Sequence, residues 1–202
     1  MTKKDIIKGL LDLGAVKIQV KNPFTWTSGI KSPIYCDNRL TIGNVKLRKE
    51  IAQALSNLIK NHFPELELVG ACATAGIPHG TSVADLLDLD LIYFRSQAKG
   101  HGTNSCIEGY FEAGKKIVIV EDLISTGKSI LKAIQEAKKV GLEVLGVVSI
   151  FSYGLDKAEK SLADEGTSYQ SLITINDLLK NSTLSEENKQ EIYQFINSLN
   201  RK

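Results

Sequence analysis

Along residues 2–13, Ile6, Ile7, Leu10, Leu11 and Leu13 fall at helical spacing against Asp5, Lys8 and Asp12, and Gly14 follows as a C-cap. The spacing predicts a short amphipathic opening helix. From Val16 to Leu40 the period is lost: Pro23, Gly29 and Pro33 punctuate the chain and IYCDN reads as one short strand, so an irregular cap is expected. A second stripe, Leu47, Ile51, Leu55, Leu58 and Ile59, predicts a long helix over 44–62. After it the period changes. Apolar runs at 66–73, 89–94, 117–120 and 143–150 read as strands, with helical stretches at 77–87 and 129–140 between them. Alternation of this kind, with near-continuous Val and Ile in the strands, predicts an α/β fold: a central, mostly parallel sheet flanked by helices on both faces. Right-handed crossovers then collect the strand-to-helix loops at one edge, where ligands of such sheets bind. Residues 185–199 predict a capped terminal helix, with Ser185 at its start and Glu186 and Glu187 in its first turn.

The 202 residues form one domain by this reading: about 1–42 as helix and cap, 43–175 as core sheet and helices, 176–202 as C-terminal helices. With 43% apolar and 24% charged residues and a net charge of +2, the chain lacks the basicity of a general nucleic-acid binder. Cys36, Cys72 and Cys106 are odd in number, far apart and in no CxxC pair, so neither a disulfide framework nor a zinc site is indicated. Charges interrupt the apolar start, and no later stretch approaches a membrane span. A cytoplasmic protein with no membrane partner is the expectation.

Residues 117–130, IVIVEDLISTGKSI, carry the chemistry. A buried strand brings two adjacent carboxylates, Glu121 and Asp122, to the sheet edge, and a small-residue turn of Ser125, Thr126 and Gly127 opens a helix. Such a turn suits a phosphate, because the first N–H groups of the helix point outward, hydroxyls add donors and glycine permits close approach. The carboxylates suit sugar hydroxyls, or a magnesium ion held directly or through water. Gly127, Lys128 and Ser129 imitate the end of a Walker A loop, yet Asp122 stands where its first glycine belongs. The dinucleotide fingerprint fails too, since Ser105 follows Gly100 and Gly102 at its third position.

A hydrophobic strand, an acidic pair and a Ser/Thr-Thr-Gly turn resemble the signature of the type I phosphoribosyltransferases. FTWTSGIKSPIYCDNR (24–39) and FRSQAKGHGTNSCIEG (94–109), with the TAGIPH turn at 74–79, are similar to the orotate phosphoribosyltransferases, particularly their shorter bacterial form. The likeness covers most of residues 20–150. It implies the type I fold with a small N-terminal hood, and phosphoribosyl pyrophosphate and orotate as substrates. By resemblance Glu121 and Asp122 hold the ribose hydroxyls, Ile124, Ser125, Thr126, Gly127, Lys128 and Ser129 the 5-phosphate, and Leu123 also contacts the donor. Arg95, Lys99 and His101, on a polar glycine-rich loop, would then meet the pyrophosphate. Ser125 is implied for orotate, with Ile34 and Tyr35 from the backbone of 28–35, whereas Phe24 and Trp26 read as cap packing and His62 and His79 as structural or exposed. The resemblance further implies a homodimer in which loop 95–109 is shared across subunits, and Mg2+ carried by the diphosphate with no direct protein ligand. Longer members carry basic residues where this chain has Thr27, Ala75 and Ser96.

The reaction so implied is attack of orotate on the ribosyl donor with loss of pyrophosphate, catalysed by Asp122, Lys99 and His101 through position and charge. Rival readings are a purine phosphoribosyltransferase, which would not carry the 24–39 segment, and a non-catalytic sensor of phosphoribosyl pyrophosphate, which would need a DNA-binding module. A plain phosphosugar binder would have no use for the basic loop.

Overall fold

The computed structural model describes residues 2–26, 29–97 and 106–201. Thr2 starts the first helix, α1 (Lys3–Asp12), with a reciprocal cap: its hydroxyl accepts from the Asp5 N–H and the Asp5 carboxylate accepts from the Thr2 N–H. Two antiparallel ribbons follow, β1 (Val16–Ile18) with β4 (Ile34–Cys36) and β2 (Phe24–Thr25) with β3 (Lys31–Ser32). Strands of two and three residues are too short to show a period, which is why only IYCDN was legible as a strand. A 3-10 turn at Asn38–Gly43 leads to Asn44, whose side chain caps α2 (Val45–His62).

The remaining elements are β5 (Leu68–Cys72), α3 (Gly76–Leu87), β6 (Asp90–Phe94), β7 (Ile107–Glu108), β8 (Lys116–Ile124), α4 (Lys128–Lys139), β9 (Glu143–Ser152), α5 (Asp156–Asp164), β10 (Ser168–Thr174), α6 (Ile175–Lys180) and α7 (Glu186–Asn200). Six strands form one sheet in the order β10-β9-β8-β5-β6-β7, parallel throughout except for β7 at one edge. β7, α5 and β10 lie outside the elements the pattern predicts. At β10 the reason is composition: Ser168, Gln170, Ser171 and Thr174 interrupt the apolar run of an edge strand.

β8 sits in the middle and is buried on both faces. Val118 and Val120 enter the core shared with α1, α2, α6 and α7, while Ile117 and Ile119 enter the core shared with α4 and α5. Successive strand residues point to opposite faces, so a strand covered twice must be apolar throughout. The cap closes on the first of these cores. Trp26 packs on Tyr153, with ring centroids 5.4 Å apart, and edge-on to Phe195 at 5.9 Å, and its indole N–H donates to the Ile34 carbonyl. Among the described residues, no helix is long and apolar enough to cross a membrane.

Candidate active site

β5 ends at Cys72, but β8 runs on. Its register with β5 stops at Val120 opposite Ala71, whereas its register with β9 continues through Glu121, Leu123 and Ile124. The overrun leaves one side of Glu121–Ile124 without a strand neighbour. There a cavity of about 440 Å³ opens, lined by Glu121, Asp122, Leu123 and Ser129, by residues 73–75 and, from the cap, by Cys36, Asp37 and Arg39. Gly76, at the start of α3, permits the closeness: a Cβ there would stand 2.8 Å from the Val120 carbonyl oxygen and 3.6 Å from the Glu121 Cα.

Glu121 is buried at 5% exposure. Its Oε1 accepts from the Asp122 N–H and its Oε2 from the Ser129 hydroxyl, each at 3.1 Å. Burial pushes the Glu121 carboxyl well above the usual carboxylate range, and the neighbouring Asp122 charge adds to the rise. Burial also raises Asp122, with Arg39 acting the other way. Beneath them the buried Cys72 thiol is pushed up by desolvation and by Glu121. Two adjacent carboxylates held in so dry a place are costly without a ligand that donates hydrogen bonds or brings positive charge.

After Ile124 the turn reaches Gly127 in the left-handed region, φ +78°, and α4 begins at Lys128. The first N–H groups of α4 have no intrahelical acceptor and face out of the turn. Ser125 and Thr126 are half-buried in it, and Lys128 and Ser129 are exposed. Leu123 and Ile124 differ in place: Leu123 lines the cavity, while Ile124 is buried in the core with its carbonyl accepting from the Tyr153 N–H.

Arg95 leaves β6 with its backbone N–H on the Cys106 carbonyl, and its guanidinium meets Glu108 at 3.4 Å. It lines a second cavity of about 250 Å³, on the other side of Ser129, together with Lys128 and Lys132. Lys99, His101 and Ser28 lie outside the described residues. Ile34 is not brought to the site. Its side chain is wholly buried, its N–H donates to the Ser32 hydroxyl and its carbonyl accepts from Trp26 and Ser32, so neither backbone group is free for a ligand. Tyr35 is half-buried against Phe24, with ring centroids 5.7 Å apart.

Asp37 and Arg39 were missed by residue reasoning, although they stand in the segment that carried the resemblance. The guanidinium forks onto the two Asp37 carboxylate oxygens at 2.6 Å each, which holds the Asp37 carboxyl below its usual range. The available signal was a charged pair, Asp-x-Arg, directly after a strand. Nothing local says that this pair faces residues 121 and 122.

A parallel sheet whose central strand ends in an acid pair and turns through Ser-Thr-Gly into a helix is the architecture of a phosphoribosyl transferase domain, and that family matches residues 42–180. Over 178 residues the chain is 49% identical to the orotate phosphoribosyltransferase of Listeria innocua, covering 88% of this chain and 85% of that protein. It is 51% identical over 176 residues to that of Bacillus subtilis, covering 87% and 82%. The crystal structure of orotate phosphoribosyltransferase from Aeropyrum pernix superposes with a TM-score of 0.77 at 30% identity, over 87% of this chain and 96% of that one. The chain belongs to the orotate phosphoribosyltransferase family.

Proposed function

We infer that this chain transfers the phosphoribosyl group of 5-phosphoribosyl 1-pyrophosphate to orotate, giving orotidine 5'-monophosphate and pyrophosphate, a step of pyrimidine biosynthesis. The observation that carries the reading is the acid pair at the overrun of β8, set beside a phosphate-type turn and under a cap, in a chain about half identical to named orotate enzymes.

Glu121 and Asp122 accept from the ribose hydroxyls, and their charge lies next to a sugar that becomes cation-like as the bond to pyrophosphate breaks. The turn from Ile124 to Ser129 takes the 5-phosphate on amide hydrogens and hydroxyls. Arg95, Lys99 and His101 meet the pyrophosphate, with Lys99 and His101 stabilising charge on the leaving group. Ser125 contacts orotate, and Tyr35 is retained there in preference to Ile34, whose backbone groups are already engaged. No covalent nucleophile is required.

Magnesium held by the diphosphate would supply charge neutralisation at the leaving group. Asp122 and Asp37 line the same cavity and would meet such an ion through its water ligands, since both Asp37 oxygens already accept from Arg39. A homodimer that shares loop 95–109 agrees with the exposure of Tyr110, which follows that loop at 79% exposure. A reducing cytoplasm agrees with three free, buried cysteines.

A pyrophosphate-release assay with orotate, uracil, adenine, hypoxanthine and xanthine in parallel tests the reading. Release with orotate alone is expected; release with a purine and none with orotate would overturn it. Replacing Lys99 with Ala should lower kcat by about a hundredfold or more, with donor affinity changed far less. Equal loss of both would remove Lys99 from the leaving group.

A further inference from the structure

Asn38, Thr41 and His79 form a buried polar chain between the cap, α3 and the end of β8. All three are fully buried. The Asn38 amide donates to the Asp122 carbonyl at 2.6 Å, across 84 residues of sequence. The Thr41 hydroxyl donates to the Asn38 backbone carbonyl at 2.6 Å, and the His79 Nε2 stands 3.1 Å from the same hydroxyl.

One hydroxyl has one proton. Since Thr41 gives it to the Asn38 carbonyl, the His79 Nε2 must carry a hydrogen and donate to Thr41. Burial, reinforced by the positive charge of Arg48, pulls the His79 ring down to about 4, so it remains neutral in that tautomer at neutral pH. The chain has one direction, from His79 through Thr41 and Asn38 to Asp122.

Its end point explains its position. Asp122 lies where β8 has outrun β5, so no strand neighbour holds its backbone on that side. Both of its backbone groups are held by side chains instead, the N–H by Glu121 and the carbonyl by Asn38. A packing role alone would be served more cheaply by apolar side chains, because burying three polar side chains costs desolvation that their hydrogen bonds only offset.

We propose that Asn38, Thr41 and His79 are a positioning relay that aims the Asp122 carboxylate at the ribose of the donor. This rests on the reading that Glu121 and Asp122 hold the ribose hydroxyls. The relay touches no substrate; it acts through the backbone of Asp122.

The test compares Thr41→Val, which removes the hydroxyl at constant size, with Thr41→Ser, which keeps it, and with Asn38→Ala. Donor dissociation constants come from calorimetry, the orotate KM from assays at saturating donor, and Tm from thermal unfolding. Thr41→Val and Asn38→Ala should weaken donor binding about tenfold and leave the orotate KM within about twofold, with Thr41→Ser near the wild-type protein. Unchanged donor affinity in Thr41→Val would overturn the relay, as would equal loss for both substrates in proportion to Tm. If Asn38→Ala does not fold, the Thr41 pair decides alone. Asp122→Asn, measured alongside, separates the two claims: wild-type donor affinity there sinks the ribose reading, whereas loss there with none in Thr41→Val sinks only the relay.

Discussion

Glu121 carries its charge in a place that favours the neutral form, with burial and Asp122 both working against ionisation. A carboxyl whose folded value is raised binds its proton more tightly in the native state than in the unfolded chain. The associated stability is complete below the unfolded value of about 4.5 and is lost as pH rises through the folded one. Glu121→Gln should therefore be more stable than the wild-type protein at pH 8, by on the order of 1–2 kcal/mol, and the gain should vanish toward pH 4.5. Thermal unfolding across that range checks the sign, and a gain that grows on acidification would contradict it. Donor affinity should fall in the same variant, an exchange of function for stability that buried ionic sites commonly show. Both acids of the pair were legible, because adjacent carboxylates after a run of Ile and Val are unusual in any chain. Arg39, which tempers Asp122, was not, since its effect depends on where the cap folds back.

Among the elements, β8 matters through its length relative to β5. Had β5 run on beside β8, Glu121 and Asp122 would face a neighbour's backbone and not a cavity. Gly76 sets the width of that gap, and a methyl group there meets the Val120 carbonyl, a backbone atom that cannot turn aside. Gly76→Ala should displace residues 73–75 and lower kcat/KM for the donor by about tenfold, at about 1–3 kcal/mol in stability. Steady-state kinetics and denaturant unfolding measure the two effects; unaltered kinetics with lost stability would place the strain away from the cavity. The long helix, the central strands and the terminal helix followed from periodicity because each repeats its pattern over several turns or residues. β1, β2, β3, β7 and β10 did not, because they are brief or lie at an edge where polar residues are tolerated.

At the level of the assembled protein, the proposed homodimer, with loop 95–109 shared between subunits, has a direct consequence. Homodimers of Lys99→Ala and of Asp122→Asn should each be nearly inactive, yet subunits exchanged between them would place one intact site in every heterodimer. Random exchange makes half the dimers mixed, so about a quarter of wild-type activity should return. Activity that stays at the level of the separate variants would confine each site to one chain. The sequence by itself determined the α/β class, the helix and strand periods, and the strand, acid pair and turn, because these patterns are local and answer to spacing along the chain. The packed fold alone settles which side of β8 is left open, that Asp37 and Arg39 line that opening, and that Asn38 holds Asp122 at a sequence separation of 84. The physical reason is that strand overrun, cap docking and buried hydrogen bonds depend on contacts between distant segments, whose partners no local pattern names.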